Sequence, residues 1–198
     1  EKEGGTAYDT SGNGNDGTYE RSASTTAGKY GNSGVFDGST TDTGGYVDVP
    51  ADSSINTLEK MTISFWVKPD SAPYHTAFIG KGNYQNHSWT VKTDGSTDSL
   101  AVQFQVAFTG TGLIFTSDNN SYQLDEWQHF TVTWNGGRES DDVHIYANAE
   151  EVSYQYKRLP DGTRSADGVS GLRIGGVNDG NRQFDGQIDE VRIYNRAL

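Results

Sequence analysis

Nine consecutive residues constrain this chain more than any others. In Leu100–Phe108, Leu100, Val102, Phe104, Val106 and Phe108 alternate with Ala101, Gln103, Gln105 and Ala107. A period of two belongs to a β-strand with one face buried, and it denies the segment a stable helix. The pattern recurs. In Met61–Lys68, Met61, Ile63, Phe65 and Val67 share one face, while Thr62, Ser64, Trp66 and Lys68 share the other. Phe130, Val132 and Trp134 stand together, with Thr131 and Thr133 opposite, and Tyr46–Val49, Val143–Asn148 and Ile188–Tyr194 read the same way. Helical periodicity is nearly absent, although Ser53–Leu58 has room for one turn. Short strands separated by Asn135-Gly136-Gly137 and Asp161-Gly162 turns must pack sheet on sheet to bury their apolar faces. The expectation is an all-β, antiparallel two-sheet sandwich of roughly a dozen strands.

At 198 residues the chain suits one such domain, 1–198, since no Pro/Gly/Ser linker or internal repeat divides it. The first 45 residues are polar and rich in Gly, Ser and Thr, but they carry motifs and belong to the domain. A formal charge of −12 argues against nucleic acid as a partner, because such binders need a basic footprint. It argues equally against anionic membrane surfaces. No run approaches the ~18 apolar residues of a membrane-inserted helix. Glu1-Lys2-Glu3-Gly4-Gly5 does not resemble a signal peptide and reads as the start of a mature or excised fragment. With no cysteine, disulfides, thiolate zinc sites and cysteine nucleophiles are out.

Four segments, in this order, resemble the laminin G-like branch of the concanavalin A-like lectin and glucanase superfamily. They are Asp9-Thr10-Ser11-Gly12-Asn13-Gly14-Asn15-Asp16-Gly17, Val35-Phe36-Asp37-Gly38, Met61–Pro69 and Phe184–Leu198. A fifth, Trp127–Trp134, fits that family's inner-strand pattern. Tyr146-Ala147-Asn148-Ala149 departs from it, since the family usually has Gly after the Asn. The resemblance implies a concanavalin A-like jelly roll and an extracellular or cell-surface location.

Residues 9–20 place Asp9, Ser11, Asn13, Gly14 and Glu20 at positions one, three, five, six and twelve of an EF-hand-like loop. Neither flank is helical, so an EF-hand proper does not follow. The resemblance implies another arrangement, in which the first loop packs on the last strand. Asp9, Asn13 and Asp189, with Asp37 nearby, would then hold a structural Ca2+ through hard oxygen donors. The alternative reading is that Asp9 and Asn13 cap turns through their own backbone.

Catalysis has little support. Glucanases of the superfamily carry two glutamates flanking an aspartate on one strand, and no Glu-x-Asp-x-Glu occurs here. Glu190 is read as facing away from Asp185 and Asp189. Related lyases pair a Gln-x-His strand with a Tyr-x-Lys strand. Tyr154-Gln155-Tyr156-Lys157 echoes the second, but Gln128 and His129 are adjacent. His75, His87, His129 and His144 lack metal-type spacing.

The expectation is therefore a non-catalytic, monomeric recognition module within a larger extracellular protein. Its partner would be a carbohydrate or, alternatively, an extracellular protein in an adhesion role; a polysaccharide hydrolase or lyase ranks last. Sugar sites need aromatic faces beside amides or guanidiniums. Trp66, Trp127 and Trp134 lie in strong strand patterns and read as core. The ligand-binding candidates are Tyr84, His87 and Trp89 in the Lys81–Trp89 stretch, Gln103 and Gln105 on a polar strand face, and Arg182 in a facing loop.

Overall fold

The computed structural model describes residues 5–39, 43–72, 74–82, 87–94, 99–168, 170–177 and 183–198. Among them are sixteen strands and no helix. Two antiparallel sheets face each other. In spatial order, the larger runs β1 (Thr6–Ala7), β2 (Gly17–Glu20), β5 (Tyr46–Val49), β15 (Leu172–Ile174), β7 (Ala77–Gly82), β8 (His87–Thr93), β9 (Val102–Val106), β10 (Leu113–Ser117) and β14 (Tyr154–Arg158). The smaller runs β13 (Glu150–Glu151), β12 (Val143–Ala147), β11 (Gln128–Trp134), β6 (Met61–Pro69), β16 (Asp185–Tyr194), β4 (Asn32–Asp37) and β3 (Ser24–Ala27).

The alternation read from sequence sets which side chains meet. Met61, Ile63, Phe65 and Val67 of β6 and Phe130 and Val132 of β11 turn inward, fully buried. They meet Trp89, Val91, Phe104 and Phe115 from the larger sheet. Phe78 sits between the layers, with ring centroids 5.7 Å from Phe65 and 5.2 Å from Phe184. Each such side chain removed from water contributes about 1.5–3 kcal/mol before entropy is counted. Ser53–Leu58 forms turns rather than a helical turn. β9 starts later than the pattern suggested, because Leu100 has a left-handed φ of 46° and cannot extend the ladder.

Two irregularities were not visible in the alternation. Along β16, Asp189 pairs with Trp66 and Arg192 with Ser64, so three steps on one strand match two on the other. This is a β-bulge, and Glu190 within it has a left-handed φ of 50°. Ile188–Tyr194 therefore does not alternate evenly. Ile188 is buried before the bulge, and Val191 and Ile193 pack on the core after it. The second lies between β12 and β13, where Ala147 and Glu150 pair across Asn148 (φ 51°) and Ala149 (φ 69°). Two left-handed residues in a two-residue hairpin loop make a type I′ turn, a geometry that favours glycine over alanine at the second position.

One end of the sandwich holds a closed polar cluster. Lys81 is wholly buried, and its Nζ donates to Asn56 Oδ1 (2.7 Å) and the Ser170 carbonyl (2.6 Å). Buried Asp167 accepts from the Thr57 N–H (2.6 Å), the Ser88 hydroxyl and Arg164 Nη2 (3.5 Å). Arg164 also donates to the Leu58 carbonyl and lies 5.4 Å over the Trp134 ring. Burial pulls the Lys81 ammonium below its ordinary pKa, and the Asp167 charge opposes that shift. The cluster ties residues 56–58 and Arg164, Asp167 and Ser170 to the sheet.

Candidate functional site

The expected recognition residues do not converge among the described residues. Trp89 is fully buried in the core against the opposite sheet, so no ligand can stack on it. It shares the inward parity of Val91 on β8, a face that the polar residues before it do not announce. Gln103 is buried on the outer face of the larger sheet, its amide donating to Thr116 Oγ1 at 2.9 Å. Gln105 is half-buried beside it, opposite Thr90 and Ile114. Tyr84, Arg182 and the His87 side chain lie outside the described residues; the His87 backbone opens β8.

Nor do the four expected calcium ligands form one donor set. Asp9 accepts hydrogen bonds from the Ser11 N–H (2.8 Å), the Asn15 N–H (2.9 Å) and the Ser11 hydroxyl (2.8 Å). The backbone N–H of Ser11 does most to hold the Asp9 carboxyl below its usual pKa. Asn13 donates to Ser11 Oγ within the same loop. Asp37 pairs with Asp185 at the far end of β4 and accepts from the Ser39 and Gly45 N–H groups. Asp189 is buried on β16, four residues along from Asp185. Among the described residues, no three His, Asp or Glu side chains are grouped to hold a metal. Turn capping accounts for Asp9 and Asn13 as placed.

Asp189 has a different task. Its Oδ2 accepts the Tyr30 N–H at 2.9 Å and its Oδ1 the Glu190 N–H at 2.8 Å. Tyr30 belongs to the Gly28–Gly31 loop joining β3 to β4, closed by the Gly28 N–H on the Gly31 carbonyl (2.9 Å). A Cβ at Gly28 would come within 2.7 Å of Asp189 Oδ2, so only glycine admits the carboxylate there. The buried carboxylate thus fixes both the loop and the bulge.

Between loop and bulge lies Trp66. Its parity with Thr62, Ser64 and Lys68 puts it on the outer face of the smaller sheet, half-buried, and not in the core as expected. Tyr30, 58% exposed, meets it edge-on at 6.0 Å. His129, paired across on β11, lies 5.2 Å away. Lys29 Nζ sits 4.6 Å over the ring, a contact holding about 0.5–1 kcal/mol at an exposed site. Ser64 Oγ and His129 Nε2 share a hydrogen bond of 2.9 Å, and Arg192 donates to Glu190 Oε2 at 2.6 Å. Together Tyr30, Ser64, Trp66, His129, Glu190 and Arg192 line a cleft of about 410 Å³. Glu190 reaches it because the bulge resets its direction, where simple alternation turned it away. Burial first, and then the Arg192 charge, push the His129 pKa down, so the imidazole is neutral at pH 7.

The cleft combines an aromatic surface with an ion pair, an imidazole and a hydroxyl. Its one carboxylate, Glu190, is engaged with Arg192, and nearby Asp189 has both oxygens committed to backbone N–H groups. Trp127 is half-buried, and Trp134 is buried as its parity implied.

Comparison with known proteins settles the family. A laminin G family profile described as the concanavalin A-like lectin/glucanases superfamily matches residues 41–198. The chain belongs to that superfamily. It is 23% identical over 162 residues to Adhesion G-protein coupled receptor V1 of Danio rerio, covering 78% of this chain and 2% of the receptor. Among solved structures, domain 4 of AbnA, a GH43 extracellular arabinanase from Geobacillus stearothermophilus in complex with arabinotriose, superposes with a TM-score of 0.58. It is 21% identical, over 92% of this chain and 83% of that one. The binding domain of botulinum neurotoxin DC in complex with rat synaptotagmin II gives 0.69 at 16% identity, covering 96% of this chain and 46% of that one. The same domain in complex with SialylT gives 0.68 at 16% identity, over 96% and 45%. The chain thus spans a very small part of the receptor and under half of the neurotoxin domain. These superpositions establish the lectin-type sandwich.

Proposed function

We propose that the protein is a non-catalytic carbohydrate-recognition module, secreted or displayed at a cell surface, with its site on the Trp66 face. The observation that carries this reading is Trp66 itself, a large aromatic held half-open on a polar sheet face and bordered by Tyr30, His129, Glu190 and Arg192. A sugar's C–H face is apolar and suits the electron-rich ring face. Its hydroxyls both donate and accept, matching a carboxylate beside a guanidinium. A single paired carboxylate does not supply the acid and base that glycoside hydrolysis needs. The arabinotriose and SialylT complexes of the structural neighbours, and an adhesion receptor among the relatives, support a binding role outside the cell.

The test is a glycan and polysaccharide array probed with the wild-type protein and with Trp66→Ala. Hits that vanish in the variant, with folding preserved by circular dichroism, support the proposal. Hits that persist, or a blank array from folded protein, overturn it, and a blank array moves attention to a protein ligand such as the synaptotagmin of the neurotoxin complex. Calcium is tested alongside by repeating the array in EDTA. Because Asp9 and Asn13 share the Ser11 turn while Asp37 and Asp189 accept from other backbone, the same hits are expected in both buffers.

A further inference from the structure

Resting on that reading, we infer that the Trp66 site is one end of a trough that takes three or more consecutive sugars of a glycan chain and not a single sugar. The strand register carries the argument. Tyr146 of β12 pairs with Thr131 of β11, Thr131 with Ser64 of β6, and Ser64 with Arg192 of β16. These four side chains form a continuous row across the sheet on its outer face. The next row holds His129, Trp66 and Asp189. Tyr146 is half-buried and stacks loosely on His144, 6.3 Å away at an interplanar angle of 33°. From Trp66 to Tyr146 is two strand spacings across and two residues along, about 12 Å in all. A single sugar ring does not bridge that span.

Between the two aromatics lie only groups suited to hydroxyls: His129, Ser64 and Thr131. At the β16 end the row is bounded by the Gly28–Gly31 loop, which joins the next strands, β3 and β4, is pinned by Asp189 and sets Tyr30 against Trp66. Beside Ser64 the C-terminal residues fold back over β6, where the Thr62 hydroxyl donates to the Arg196 carbonyl (2.8 Å) and accepts the Leu198 N–H (3.0 Å). Past Tyr146 only the two-residue β13 follows. A row bounded at the Trp66 end and running out to Tyr146 suits several consecutive sugars laid along it.

The experiment measures affinity by calorimetry along ladders of one to six sugars, of arabinan, β-glucan and sialylated oligosaccharide type, for wild type, Tyr146→Ala, Tyr146→Phe and Trp66→Ala. Affinity is expected to climb from one sugar to about four and then level. Tyr146→Ala should weaken the longer rungs roughly three- to tenfold, the worth of one aromatic contact. It should leave one and two sugars unchanged, and Tyr146→Phe should restore the longer rungs. Equal affinity along a ladder, or a Tyr146→Ala loss that is the same at every length, would overturn the trough while leaving the Trp66 site standing. Wild-type binding that survives Trp66→Ala, or no binding on any rung, would overturn the recognition site itself.

Discussion

Two regions of this molecule are built from the same kinds of side chain and come to opposite ends. Around Asp167, a carboxylate, two cations, two hydroxyls and a tryptophan close on one another. Around Trp66, a carboxylate, two cations, a hydroxyl, an imidazole and a tryptophan stay open to water. In the first, polar groups are spent on the Thr57, Leu58 and Ser170 backbone and the Asn56 amide, and the cleft of about 290 Å³ beside Arg164 and Trp134 is not lined by Lys81, Ser88 or Asp167. In the second, Asp189 takes over that backbone work, and the groups above it keep free valences. Composition does not separate a structural cluster from a recognition surface. What separates them is where each hydrogen bond ends.

The sharpest way to break this contrast is Asp167→Ala. It leaves Arg164 and Lys81 buried without their counter-charge, which costs about 3–5 kcal/mol. A drop in melting temperature of roughly 10 °C is expected at this chain length, while glycan affinity of the folded fraction stays unchanged. A parallel loss of affinity would mean that the two regions are coupled.

Next is Asp189→Ala, which leaves the Tyr30 and Glu190 N–H groups unpaired at about 1–3 kcal/mol. Here affinity should fall along with stability, because loop and bulge both lose their anchor. Asp189→Asn, which still accepts at one oxygen, should recover part of both. Stability lost with affinity intact would make Asp189 a mere core group.

Ala149→Gly should act in the other direction. Relieving a left-handed alanine raises stability by about 0.5–1 kcal/mol, read as a higher urea midpoint with no change in affinity.

The smallest effect is that of pH. The folded His129 pKa lies below its free value of 6.5, so the unfolded chain binds the proton more readily. Stability at the open face should therefore decline as pH falls from about 6.5 through the folded value. Loss of the depressed Asp9, Asp37 and Asp142 carboxylates follows only on further acidification, below 3.8. His129→Gln should flatten the first phase alone.

The sandwich was legible because alternation is a local code: Met61–Lys68 and Phe130–Trp134 declare their inner faces residue by residue. The site was partly legible and misread. Trp66 stands with Thr62, Ser64 and Lys68 in the pattern, yet membership of a strong strand reads as core where its parity points outward. Trp89 had the opposite fate, since a preceding polar stretch hid its strand. Tyr30 and Lys29 carried no signal of their own, because a four-residue loop acquires meaning only when Asp189, more than 150 residues on, accepts its backbone. Glu190 was invisible for another reason: a bulge is a backbone event that side-chain spacing does not announce.

That extra residue in β16 also acts as a phase shifter. Before it, even-numbered side chains face the core and odd-numbered ones face out; beyond it, the roles exchange. A strand wedged between β6 and β4 with such a dislocation must keep its bulge in register, since sliding it by one residue sends its apolar residues into water. The feature that aims Glu190 at the cleft is thus also a key cut into the middle of the sheet, and shortening β16 by one residue would misalign the lock and the site together.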